Sequence, residues 1–128
     1  MNDSIISNIN EQFKNININN NIQIKTYDHG RYEGQLINDK REGKGIMYWD
    51  DGNRYEGDFK NDKYEGKGIY YFNDGNRYEG DFKNGEREGK GIYYYNNGDR
   101  EMGDFFNGLG KGKFVMLTQN DEVTINIY

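Results

Sequence analysis

The chain has 128 residues, a third of them hydrophobic and half of those aromatic, with 12 Tyr, 7 Phe and 18 Gly but no Pro and no Cys. A net charge of -5 argues against a nucleic-acid surface, which needs clustered Lys and Arg, and no polybasic run is present to hold an anionic membrane. Without cysteine there is neither a disulfide nor a thiolate metal site, and no segment approaches the ~20 apolar residues of a membrane-spanning helix.

Met1 to Ile6 lacks a basic region and a long apolar run, so the sequence shows no signal peptide, and a cytoplasmic protein is the expectation. Residues 1–23 are rich in Asn and Ile. Ile5, Ile6, Ile9 and Phe13 fall at helical spacing behind Asp3 or Ser4 as N-cap, which predicts a short amphipathic helix. Ile16 and Ile18, then Ile22 and Ile24, alternate on either side of Asn19-Asn20-Asn21, which predicts a weak hairpin. An AT-biased coding sequence accounts for the same Asn and Ile equally well. Ile24, Tyr27, Asp28 and Gly30 match Ile46, Trp49, Asp50 and Gly52 in order, so residues 24–31 read as a degenerate half-repeat. Terminal repeats are expected to be atypical because they cap the stack.

From Tyr32 the chain repeats. Tyr55-Glu56-Gly57-Asp58-Phe59-Lys60, Gly66-Lys67-Gly68-Ile69-Tyr70-Tyr71-Phe72 and Asn73-Asp74-Gly75 recur 23 residues later as Tyr78 to Lys83, Gly89 to Tyr95 and Asn96-Asn97-Gly98. The preceding copy carries Tyr32-Glu33-Gly34, Gly43-Lys44-Gly45-Ile46 and Asp50-Asp51-Gly52. A fixed period of this size is the mark of a repeat architecture. Tyr55, Gly57 and Phe59 alternate with Glu56, Asp58 and Lys60, and Gly68, Tyr70 and Phe72 with Lys67, Ile69 and Tyr71. That period of two gives two strands per repeat, each with an aromatic and a charged face. Asn-Asp-Gly after Phe72 reads as the hairpin turn, and Asn61 through Gly66 as the longer turn at the other end.

Glycine inside a strand marks a close approach. Gly57, Gly66 and Gly68 share the parity of the rings, so the expected visitors are rings from neighbouring strands. Aromatics lying over glycines then supply the core that a single sheet otherwise lacks, and the sheet is expected to curve towards that side as a trough. A fourth copy starts near residue 101, with Glu101-Met102 in place of Tyr-Glu and two residues read as lost before Gly110-Lys111-Gly112. Asn120-Asp121 turns into the alternating Val123 to Tyr128, a capping strand in the segment 117–128; such a cap protects an open edge.

Tyr-Glu-Gly-x-Phe-x-Asn, then Gly-x-Gly and Asp-Gly, resembles the MORN repeat from about Gly30 to Met116. Tyr48, Tyr71 and Tyr94 stand where members of that family usually place a small residue, and Leu36 or Phe where they place Trp. The resemblance implies an all-β, single-layer antiparallel meander of tandem hairpins forming a half-open groove, over an array spanning 24–116. It also implies a role in assembling or tethering other proteins. Some members are linked to phosphoinositides and membranes, others to cilia or the cytoskeleton.

No catalytic constellation emerges. His29 is the only histidine and sits in a turn, the Gly85 to Lys90 run is misspaced for a phosphate loop, and the Asp-Gly-Asn runs lack calcium-loop spacing. The chain reads as a non-enzymatic scaffold with no cofactor, no metal and no nucleic acid. Its partner-binding groove is expected at Tyr32, Tyr55, Phe59, Tyr70, Phe72, Tyr78, Phe82, Tyr93 and Tyr95, taking a helix or peptide of a partner protein. A second apolar ladder on the charged face, Ile46, Tyr48, Ile69, Tyr71, Ile92 and Tyr94, is either a contact surface, self-association included, or is covered by Lys and Arg stems. The alternative function is a peripheral membrane module holding phosphoinositides through Arg54, Lys67, Arg77 and Lys90, against which the interleaved acids argue.

Overall fold

The computed structural model of the chain describes residues 22–128. The expected N-terminal helix and the first strand of the Asn/Ile hairpin lie outside them. Ten strands form one open antiparallel sheet in chain order: β1 (Gln23–Tyr27), β2 (Gly30–Ile37), β3 (Lys40–Trp49), β4 (Arg54–Lys60), β5 (Lys63–Tyr71), β6 (Arg77–Lys83), β7 (Glu86–Tyr94), β8 (Arg100–Phe106), β9 (Leu109–Leu117) and β10 (Val123–Ile127). The described residues contain no helix. The all-β single-layer meander implied by the repeats is the architecture observed.

The two ends of the hairpins are the reverse of the sequence reading. The tight turns are Asn38-Asp39, Asn61-Asp62, Asn84-Gly85 and Asn107-Gly108, each closed by a strand pair such as Lys60 with Lys63. Both central residues take positive φ, 48° and 71° at Asn61 and Asp62. This is the two-residue geometry whose twist matches that of the strands, and Asn, Asp and Gly tolerate it. The Asn-Asp-Gly runs instead occupy longer loops such as 72–76, where Phe72 N–H bonds Asn76 O at 2.9 Å and Gly75 takes φ of 96°. Residues 63–66, read as turn, belong to β5.

A bulge in each repeat explains where the core comes from. The ladder between β4 and β5 shifts register between Gly57 and Phe59, and the bulged residue turns its carbonyl to the aromatic side. Tyr55 Oη donates to Asp58 O at 2.7 Å, Tyr32 Oη to Gln35 O at 2.8 Å and Tyr78 Oη to Asp81 O at 2.9 Å. So anchored, each tyrosine lies along the sheet over a glycine of the next strand. A Cβ on Gly68 would stand 2.4 Å from Tyr55 Oη. The three tyrosines are 0% exposed although the described residues form a single layer. Their hydroxyls are satisfied, so burial carries no unpaired polar group.

Phenylalanines lock these rings together. Tyr32, Phe59, Tyr55, Phe82, Tyr78 and Phe105 make successive edge-to-face contacts at 5.0–5.2 Å. Each such pair contributes about 0.5–1.5 kcal/mol beyond its buried area. Both ends of the hairpins are stitched as well. Glu42, Glu65 and Glu88 accept the N–H of Asn61, Asn84 and Asn107 in the next tight turn. Asn53, Asn76 and Asp99 accept the N–H of Asn73, Asn96 and Gln119 in the next long loop. The Asp-Gly-Asn runs thus serve turn geometry, with Asp51 and Asp74 each accepting the N–H two residues on.

The ends of the array depart from the sequence reading in two places. Gly30, matched there with the loop glycine Gly52, sits in β2 opposite Tyr27 and Trp49, because a two-residue turn, Asp28-His29, replaces the longer loop. In the fourth repeat no residues are missing. Lys111 pairs with Asp104, Val115 with Met102 and Met116 with Glu101, so Gly112 and Phe114, not Gly110 and Gly112, occupy the positions of Gly89 and Gly91.

Candidate functional site

The parity of the strands puts the nine expected groove residues on one face, in two tiers. Tyr32, Tyr55, Tyr78, Phe59 and Phe82 are at most 5% exposed and form the floor. Tyr70, Phe72, Tyr93 and Tyr95 are half-buried and stand as a row beside it, with ring centroids 4.9 Å apart for Tyr70–Phe72, 5.7 Å for Phe72–Tyr93 and 4.9 Å for Tyr93–Tyr95. The row is the solvent-facing tier of this face.

Three residues missed in the sequence complete this face. Tyr64 stacks on Tyr55 at 3.9 Å with the planes 11° apart, and its hydroxyl accepts Trp49 Nε1–H at 2.8 Å. Burial pushes its phenol up to about 12, with the Trp49 hydrogen bond opposing. Arg41 and Arg87 hold the position of Tyr64 in the neighbouring repeats. The Arg41 guanidinium lies over Tyr27 and Phe59 at 5.1 and 5.5 Å, that of Arg87 over Phe105 at 4.8 Å, and Arg87 also donates to Gly108 O. Parity with Gly66 and Gly68 would have found Tyr64, had residues 61–66 not been taken for a turn.

Tyr64, Tyr70, Phe72, Phe82 and Arg87 wall a recess of about 260 Å³. A second, of about 190 Å³, lies further along between Arg87, Tyr93, Tyr95, Glu101, Phe105 and Tyr128. Both belong to the aromatic face. Among the described residues no group of three acidic, His or Cys side chains is arranged to hold a metal ion, and no helix is long and apolar enough to cross a membrane.

The opposite face is built from alternation across strands. Glu56 lies between Ile46 and Ile69, and Glu79 between Ile69 and Ile92, so the isoleucines are separated by carboxylates. Tyr48, Tyr71 and Tyr94 are likewise interleaved with arginines. Arg31, Arg54 and Arg77 lie over them at 4.9, 4.1 and 3.8 Å. The second apolar ladder is therefore interrupted on each intervening strand and capped by guanidinium groups.

Each of the four residues of the phosphoinositide reading has a carboxylate within ion-pair distance, the two lysines at the exposed surface. Arg54 and Arg77 pair with Glu56 and Glu79 at 2.9 and 3.3 Å, and Lys67 and Lys90 with Asp81 and Asp104 at 2.5 and 3.9 Å. Glu56 is 2% exposed, and burial pushes its carboxyl above the ordinary range, with Arg54 opposing.

The MORN repeat family model matches residues 32–54, 55–77 and 78–100, more than half of the chain, and each match begins at one of the three buried tyrosines. No curated protein matches the chain. MORN repeats are non-enzymatic interaction repeats with protein or membrane partners, and by three consecutive matches in the register of its own sheet this chain belongs to the MORN-repeat family.

Proposed function

We propose that the chain is a protein-interaction scaffold that holds a helix or extended segment of a partner protein on its aromatic face. The observation that carries this reading is the half-exposed row Tyr70, Phe72, Tyr93 and Tyr95 beside a floor that is already closed. The row offers amphipathic area with little side-chain entropy left to lose, and the fixed floor means that no reorganisation accompanies binding. The recess between Tyr64, Phe72 and Phe82 accepts an apolar anchor of the kind that dominates interface energetics.

The membrane reading has less support. Phosphate recognition needs unpaired guanidinium or ammonium groups, and Arg54, Lys67, Arg77 and Lys90 each face a carboxylate. A photo-crosslinking residue placed at Phe72 on one face and at Tyr71 on the other tests the choice. Crosslinks to one discrete protein from position 72, lost when Tyr70 and Tyr93 are changed to Ser, are the expected result. Crosslinks confined to position 71 would sink the proposal. So would flotation with phosphoinositide vesicles that persists at physiological salt and is lost with Arg54 and Arg77.

A further inference from the structure

The recess at the C-terminal end of the aromatic face contains a feature that none of the other repeats has. Glu101 stands where Tyr32, Tyr55 and Tyr78 stand in the first three copies, and it is 3% exposed. Its carboxylate accepts Tyr95 Oη–H at 2.7 Å and Tyr128 Oη–H at 2.9–3.0 Å. Among the described residues no Lys, Arg or His lies within ion-pair distance of it. A buried carboxyl group without a cation beside it depends on its hydrogen bonds for compensation.

The surroundings are aromatic on most sides. Phe114 and Tyr128 meet at 5.1 Å edge to face, Phe105 and Phe114 at 5.3 Å, and Tyr93 and Tyr95 close the loop side at 4.9 Å. Gly110 holds the position that Arg41, Tyr64 and Arg87 fill in the other repeats, and this leaves the volume open. Arg87 is the one cation on the wall. Its guanidinium is occupied by Phe105 and by Gly108 O.

We propose that this recess binds an alkylated ammonium cation, such as the head of a methylated lysine side chain or a free quaternary amine. Ring faces attract a cation through their quadrupole, and more strongly when water is excluded. The two tyrosine hydroxyls donate to Glu101 and so leave their rings electron-rich. Glu101 already accepts three hydrogen-bond contacts from these hydroxyls, so the recess has few acceptor sites left for the three N–H groups of a bare ammonium, which would have to shed its water. A trimethylammonium head has no donor to satisfy. The 190 Å³ recess is smaller than sites for drug-sized ligands and suits a head group with a short stem.

This proposal rests on the aromatic face being the binding face, and it adds the chemistry of one anchor. The test is titration of the full chain, followed by NMR of its tyrosines, with tetramethylammonium, with choline, and with one short peptide carrying trimethyl-lysine, lysine or the neutral neohexyl isostere. Saturable shifts at Tyr93, Tyr95 and Tyr128 are expected with the quaternary probes. Glu101→Gln should weaken binding about tenfold, and Tyr128→Ala, at an exposed position that leaves the sheet intact, by a similar factor. A peptide that binds more tightly than choline assigns the source to a partner protein, and the converse to a free amine.

No saturable shift, equal binding of the neohexyl peptide, equal binding of unmethylated lysine, or unchanged binding in both variants would each overturn the assignment. Such failure leaves the crosslinking result at Phe72 standing. Loss of that crosslink leaves binding of the small probes to be judged on its own.

Discussion

The second and fourth repeats solve one packing problem in opposite directions. In the second, the ring comes from the first strand of the hairpin: Tyr55 lies over Gly57 and Gly68. In the fourth, the first strand carries Glu101, and the ring comes from the second strand, where Phe114 occupies the position of Gly68. A Cβ on Gly103 would stand 2.5 Å from the Phe114 ring, so Phe114 covers the glycine that corresponds to Gly57. The edge-to-face chain continues without a break through Phe105, Phe114 and Tyr128. What the fold requires is one ring and one opposed glycine per hairpin, not a tyrosine at a given place. The exchange frees the end of the first strand to bury a carboxylate instead.

The most severe test of that equivalence is to undo the exchange in halves. Phe114→Gly alone removes a ring that is 2% exposed and should cost about 3–5 kcal/mol of stability, as do other buried Phe truncations. Glu101→Tyr alone sends a second ring over a site already filled and should cost about 1–3 kcal/mol. The double variant recreates the arrangement of Tyr55 with Gly68 and should return to within about 1 kcal/mol of the parent. The coupling, read from urea unfolding midpoints, is then among the largest that neighbouring residues show. Additive losses would mean that the two repeats are not interchangeable in this sense.

A smaller contrast lies at the position shared by Arg41, Tyr64, Arg87 and Gly110. Tyr64 is the member that stacks on the floor and receives Trp49 Nε1–H. Tyr64→Phe keeps the stack and leaves the indole donor unpaired, at a cost of about 1 kcal/mol. Tyr64→Leu loses both and should cost about 2 kcal/mol. Trp49 is the only tryptophan, so its emission reports both variants directly. An unchanged spectrum in Tyr64→Phe would mean that the indole finds another partner.

The strands, the assignment of faces and the tyrosine-over-glycine packing were legible in the sequence, because a 23-residue period and an alternation of two leave little else for Gly57 and Gly68 to do. The turns were misjudged for a physical reason. Asn-Asp at 61–62 and Asn-Gly at 84–85 carry the same positive-φ chemistry as Asn-Asp-Gly at 73–75, and composition does not say which end is tight. Gly110-Lys111-Gly112 mimicked the Gly-Lys-Gly of the other repeats two residues out of phase and concealed both the intact period and the position of Phe114. Once that was hidden, Glu101 read as wear in the repeat. The pairing of arginines with Tyr71 and Tyr94 depends on register, which alternation alone leaves open.

The finest contrast is between two arginines at equivalent positions. Arg41 pairs with Asp62 of the next tight turn, Nε to Oδ1 at 2.6 Å, and also donates to its backbone carbonyl at 2.8 Å. Arg87 finds Gly108 there and keeps only the carbonyl. Burial alone would raise the Asp62 carboxyl, but the hydrogen bonds and charge of Arg41 outweigh it and hold the group below its ordinary value of 3.8. A depressed carboxylate stabilises the fold fully above the unfolded-state value and loses that contribution as pH falls through the folded one. Asp62→Asn retains a residue suited to positive φ and an Oδ1 acceptor for Arg41 while removing the charge. Its cost should be present at neutral pH, amount to less than about 1 kcal/mol for a pair this exposed, begin to fade below the ordinary aspartate value and vanish below the folded-state one. Parallel stability profiles for parent and variant across the acid range would show that Asp62 acts through turn geometry, and that the two arginines are equivalent after all.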